Sequence, residues 1–147
     1  MQLKRDTDYA LKILLNIAES INASENSEGV SLREISLNTK IPKQIAGRLC
    51  ERLSEAGFIH ECTEGGGGTG TYAADEVLPD VTLFDVVEAV EGTSEIFAVF
   101  DKNSELYRKY GSALDHTEGK IADELKKLSI GTILKIEHDR IPEKGSI

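Results

Sequence analysis

The chain has 147 residues, 39% of them hydrophobic and 29% charged, with a net charge of −9. That length suits one domain with a core large enough to fold without disulfides, and two cysteines, Cys50 and Cys62, exclude a disulfide-built scaffold. The acidic balance by itself argues against nucleic acid as a partner. It is uneven, however: residues 1–57 hold eight basic and eight acidic side chains, so residues 58–147 carry the whole excess.

The N-terminal stretch MQLKRDTDYALKILLNIAES begins like a signal peptide, with basic residues before apolar ones. Lys12 and Asn16 interrupt the apolar run at helical spacing, and no small-residue cleavage site follows. This predicts an amphipathic helix over 7–21, capped by Asp6 or Thr7, in a cytoplasmic protein. No apolar run reaches transmembrane length, so no membrane partner is expected. A polar loop, NASENSEG, follows.

VSLREISLNTK opens a second helix. Ser31 is a natural N-cap, and Glu34 stands three residues on, as in a capping box. Pro42 turns Ile41 away from helix and suits the start of a third one. That third helix runs to about Ala56, with Gly57 as its stop. Ile45, Ala46, Leu49, Cys50, Leu53 and Ala56 form its apolar face, while Lys43, Gln44, Gly47, Arg48 and Glu51 face away. Five basic residues against two acidic ones fall within 31–54. Two short helices, a tight turn and a basic exposed face make a helix-turn-helix.

The segment TEGGGGTGTY packs five glycines into ten residues. A phosphate loop would need Lys-Ser/Thr and a helix start after the last glycine. Here Thr71-Tyr72-Ala73 follows Gly70 with strand character, and FIHECTE alternates before the glycines. Two strands around a glycine-rich tip, directly after the third helix, predict a wing. LPDVTLFDVVEAVEG then gives a helix with Thr82 as N-cap, Asp85 three on, a stripe of Leu83, Val86, Val87 and Val90, and a stop at Gly92. After the apolar EIFAVF, a long helix spans about 104–128, with a break near Gly111. Leu114, Ile121, Leu125 and Leu128 form a seam with pairing-face spacing. Ser129 caps a short turn, SIGTILKI, and a polar tail follows.

The fold class is therefore mainly α with a small β-hairpin wing. It divides into a winged helix-turn-helix (1–80), a post-wing helix, loop and long helix (81–135), and a flexible tail (136–147).

The order of TDYALKILL, VSLREIS, IPKQIAGRLCERLSEAGFI, a glycine wing ending in Tyr, and TLFDVVEAVEG resembles the Rrf2 family of bacterial winged-helix transcription regulators over about residues 1–135. The resemblance implies a homodimer through the long helix, with Leu114, Ile121, Leu125 and Leu128 in its face and Gly119 allowing close approach. It also implies a repressor-like regulator on a palindromic operator in double-stranded DNA. On that reading Lys43, Gln44, Gly47 and Arg48 enter the major groove, Gln44 toward adenine and Arg48 toward guanine. Lys4, Arg5, Arg33 and Lys40 hold phosphates. A small effector or a partner protein is a further expected partner.

Many members of that family bind an iron–sulfur cluster through three cysteines after the post-wing helix. The stretch from Gly92 to Asp115 has none, so no cofactor and no metal are expected, and Asp8 serves the start of the first helix instead. The wing also departs: Glu64 and Ala73 stand where the family carries arginine. That departure supports an alternative, a winged-helix module for protein–protein contact that has lost DNA binding. An enzyme is not expected, since His60 and Cys62 offer too few ligands and no nucleophile–base pair. Both cysteines read as structural.

Overall fold

A computed structural model of the protein describes residues 5–23, 29–62, 70–92 and 103–140, with side chains given as far as Ser20 in the first helix and Lys135 in the last. The glycine tip of the wing, the EIFAVF stretch, Lys4 and the last seven residues of the tail lie outside them.

Helix α1, Arg5–Ala23, is the centre of the core. Ala10, Ile13, Leu14 and Ile17 are fully buried along one stripe, as the periodicity predicts. The expected cap does not form, because the helix already starts at Arg5. Asp6 and Thr7 instead sit in its first turn and bond outward, as described below.

A two-residue strand β1, Val30–Ser31, leads into α2, Leu32–Thr39. Ser31 caps α2 by accepting the Glu34 N–H at 3.2 Å. Lys40 ends α2 in the left-handed region, φ 61, a conformation that non-glycine residues adopt rarely. Helix α3, Lys43–Glu55, follows with Pro42 as its N-cap. Its end is a Schellman motif: Gly57 has φ 84, its N–H donates to Ser54 O, and the Phe58 N–H donates to Leu53 O. Ala46, Leu49, Cys50 and Leu53 are buried as expected. Ala56 is exposed, because the chain has already begun to leave the helix there.

Strands β2, Ile59–Glu61, and β3, Thr71–Ala74, pair antiparallel in the register Ile59↔Ala74, His60↔Ala73, Glu61↔Tyr72. That is the pairing a hairpin wing requires. The sheet has a third strand, for β1 pairs with β3 through Val30↔Tyr72 and Ser31↔Thr71, giving the order β1-β3-β2. Tyr72 therefore lies in the central strand and is buried. Gly29 makes this possible: with φ 85, it brings its Cα so close to β3 that a Cβ would stand 2.7 Å from Tyr72 O.

A 3₁₀ turn, Leu78–Asp80, precedes α4, Leu83–Glu91. The predicted capping box is complete at Thr82 and Asp85, and Gly92 closes the helix at φ 78. Helix α5 runs unbroken over Glu105–Lys126, about 33 Å at 1.5 Å per residue. The expected break at Gly111 is absent. Tyr107 lies across Gly111, where a Cβ would meet its ring at 2.7 Å, and its hydroxyl reaches Asp115. The missing side chain makes room for that contact.

The expected short turn after Ser129 is a full helix, α6, Ile130–Arg140. Ser129 caps it through the Thr132 N–H. Leu83 N–H donates to Leu128 O and Ile130 N–H to Val81 O, so the far end of α5 returns to the start of α4. Ile130 is fully buried and joins the core built by α1, α3, α4 and the sheet.

Burial at the centre of α3 has a chemical consequence. It pushes the Cys50 thiol up to about 12 from 9.0. Tyr72 is likewise raised to about 12 from 10.0, first by burial and then by nearby negative charge. The unfolded chain ionises these groups first, so stability is expected to fall as pH rises from about 9 to 12. At pH 8, iodoacetamide should label the half-buried Cys62 well before Cys50. Mass spectrometry of a labelling time course checks the order, and urea melts against pH check the loss.

Candidate nucleic-acid interface

The turn between α2 and α3 presents one exposed polar surface. Lys40 stands at the end of α2, and Lys43 and Gln44 form the first turn of α3; all three are exposed. No side chain caps α3, so the backbone N–H groups of its first turn have no side-chain acceptor. The positive end of the helix dipole adds to the two lysines there. Arg33, in the first turn of α2, is exposed as well.

The other predicted contacts are placed differently. Gly47 is half-buried, and a Cβ on it would touch Leu32 of α2 at 3.4 Å. Gly47 thus lies against α2, with room for one methyl group. Since 3.4 Å is ordinary contact, Gly47→Ala should fold. It should stabilise α3 by up to about 1 kcal/mol through better helix propensity. A urea melt checks the gain, and unchanged operator affinity in the same variant would show that DNA does not need the glycine.

Arg48 is exposed, but its guanidinium donates to Asp6 of α1 at 3.1 Å. Sequence reasoning missed this pair, because the partners lie 42 residues apart. It also missed Arg52, which stands in the basic island yet donates to Val90 O at 2.6 Å and closes the C-terminal end of α4. Thr7, buried in the first turn of α1, donates to Glu91 at 2.8 Å. Helix α3, the first turn of α1 and the end of α4 are thereby joined by three side-chain hydrogen bonds.

Arg5 lines a cavity of about 490 Å³ between α1, α4 and α5. Helix α1 supplies Arg5, Thr7, Asp8 and Leu11 to its lining, α4 supplies Leu83, Val86 and Val87, and α5 supplies Leu125. The Arg5 guanidinium stands 5.8 Å from the Tyr9 ring centroid. Asp8 pairs with Lys12 at 3.1 Å rather than standing open at the helix start.

In the long helix, Leu114, Ile121 and Leu125 are half-buried, and Leu128 lies just beyond its end. Leu106 and Tyr110 are exposed at 62% and 63%, and the predicted seam omitted both. At roughly 100° per residue, Leu106, Tyr110, Leu114, Ile121 and Leu125 form one stripe about 100° wide. Gly119 falls on the opposite side of α5, so it does not lie in that stripe.

In the wing, Asp75 accepts from His60 Nδ1–H at 2.7 Å, and Glu61 accepts the Gly70 N–H. These two acidic groups are engaged within the hairpin. For a metal, the donor set is poor. Cys50 is sealed in the core with a thiol that resists ionisation, Cys62 follows β2, and among the described residues no three His, Cys, Asp or Glu side chains converge.

Among the described residues no helix is long and apolar enough to cross a membrane. No curated protein sequence matches the chain. Among solved structures, IscR of T. potens is similar with a TM-score of 0.73 at 16% identity, over 99% of this chain and 94% of that one. CymR of B. subtilis, the global cysteine regulator, gives 0.69 at 17% identity, over 92% and 98%. The oxidised form of S. aureus CymR gives 0.66 at 16% identity, over 90% and 95%. At such identities the likeness is one of fold. The Rrf2 model, described as an iron-dependent transcriptional regulator, matches residues 3–136, and the chain belongs to the Rrf2 family.

Proposed function

We propose that this chain is a DNA-binding transcriptional repressor that acts as a homodimer on a palindromic operator. The observation that carries the reading is the uncapped start of α3, with Lys43 and Gln44 exposed on its first turn and Lys40 beside them. Such a helix end attracts phosphate and admits base-reading side chains to the major groove. In this reading Gln44 contacts adenine, Arg48 leaves Asp6 to contact guanine, and Arg33 and Lys40 hold phosphates. The stripe of exposed Leu106 and Tyr110 and half-buried Leu114 and Ile121 meets its copy in the homodimer.

The family description names iron, but the cysteines here do not fit a thiolate-ligated cluster, since one is buried in α3 and the other follows a wing strand. No step of the proposed function runs through one. The pairing of Asp75 with His60 and of Glu61 with Gly70 reduces the repulsion an acidic wing would exert on phosphate.

The test is fluorescence anisotropy with DNA from upstream of the protein's own gene, against a scrambled duplex, at two salt concentrations. Tight, salt-dependent binding that prefers the native DNA supports the regulator. Failure of both duplexes at low salt overturns it, and the second reading, a winged-helix module for protein partners favoured by the net charge of −9, takes its place.

A further inference from the structure

The cavity between α1, α4 and α5 combines an apolar body with a guanidinium, Arg5, that has no ion-pair partner among the described residues. Leu11, Val86, Val87 and Leu125 supply hydrocarbon surface, and its volume of about 490 Å³ falls within the range of small-molecule sites, about 300–1,000 Å³. Two charged residues of α1 line it. Asp8 is already neutralised by Lys12 at 3.1 Å. Arg5 lies against the Tyr9 ring and has no carboxylate partner among the described residues. An aromatic face beside a guanidinium leaves its N–H donors open to an anion.

We propose that this cavity binds an aliphatic monocarboxylate, its chain among Leu11, Val86, Val87 and Leu125 and its carboxylate on Arg5, and that occupancy weakens operator binding. The second half rests on the DNA-binding reading above. A cation meets Arg5 with like charge. A zwitterion brings a second charge whose natural partner, Asp8, is already engaged by Lys12. A neutral chain leaves Arg5 unused.

The route to DNA is short. Arg5, Thr7 and Asp8 line the cavity, and Asp6, between them in the same turn, holds Arg48 of the recognition helix. Thr7 ties that turn to Glu91 at the end of α4. A ligand that bridges Arg5 to the α4 wall fixes the turn, and with it the grip of Asp6 on Arg48. By linkage, operator DNA weakens the ligand by the same factor.

The experiment uses the full chain and three probes of equal length: octanoate, n-octanol and octylamine. Calorimetry and thermal shift read ligand binding without DNA. Octanoate should bind saturably, n-octanol about tenfold or more weakly, and octylamine not at all. Arg5→Gln, at an exposed position, should remove the preference for octanoate over octanol. Leu83→Trp, on the half-buried wall, should abolish both. In anisotropy, saturating octanoate should lower operator affinity, and Asp6→Asn should remove that effect while octanoate still binds.

No octanoate binding, or equal octanol binding unaffected by Arg5→Gln, overturns the site. Octanoate binding with unchanged operator affinity overturns the coupling. Absence of DNA binding with octanoate binding intact overturns the regulator reading and leaves the site standing.

Discussion

Replacing Arg48 with alanine is expected to lower the preference for operator over scrambled DNA by about 1–3 kcal/mol, roughly 5- to 150-fold. The magnitude follows from what Arg48 leaves and what it gains. Its pair with Asp6 is solvent-exposed, with 54% and 35% of the two side chains accessible. Such a pair contributes at most about 1 kcal/mol. A bidentate contact to guanine exceeds that, so the exchange favours DNA. Asp6→Asn removes the competitor and one negative charge near the phosphates, and should raise operator affinity by up to about fivefold. Arg33→Ala should weaken operator and scrambled DNA alike and reduce the salt slope by about one. Anisotropy titrations of the three variants separate these roles. An unchanged operator-to-scrambled ratio in Arg48→Ala would remove Arg48 from base readout.

Gly29→Ala is expected to destabilise the protein by about 2–4 kcal/mol, read as a lower urea midpoint. Two costs combine there. At φ 85 an alanine is strained, and its Cβ would stand 2.7 Å from Tyr72 O and 3.1 Å from Cys62 Sγ. Backbone of the central strand cannot rotate aside as a side chain does. The alternative, withdrawing β1 from β3, breaks the pairs Val30↔Tyr72 and Ser31↔Thr71 and uncovers Val30. A loss below about 0.5 kcal/mol would mean that β1 contributes nothing to the fold.

Much of the architecture was legible because its signals are local. Ser31 and Thr82 announce their helices through caps, and Gly57 and Gly92 end theirs. The stripes of α1 and α4 repeat at helical period, so their buried faces follow from spacing. The illegible parts depend on distance along the chain. Strand β1 has two residues, too few for alternation, and exists only because β3 is beside it. Lys40 adopts a left-handed conformation that its side chain does not advertise. Gly47 looks the same on a helical wheel whether it faces DNA or α2; only the position of Leu32 separates the two. The Arg48–Asp6 and Arg52–Val90 bonds join segments 42 and 38 residues apart. The cavity is likewise assembled from three helices, so its charge pattern emerges only when Arg5 and Asp8 are placed beside Val86 and Leu125.

The seating of Ile130 has a meaning for synthesis. This fully buried side chain belongs to the same core as Ile17, Leu49 and Val86, and its N–H completes a bond to Val81 O. A ribosome must therefore release the chain through residue 130 before the core can close. A nascent chain ending at Gly92 holds every helix-turn-helix residue, yet leaves Leu78 and Val81 without the α6 side of their packing. Translation products cut short before residue 130 should be substrates for chaperones and proteases rather than half-sized competitors for the operator.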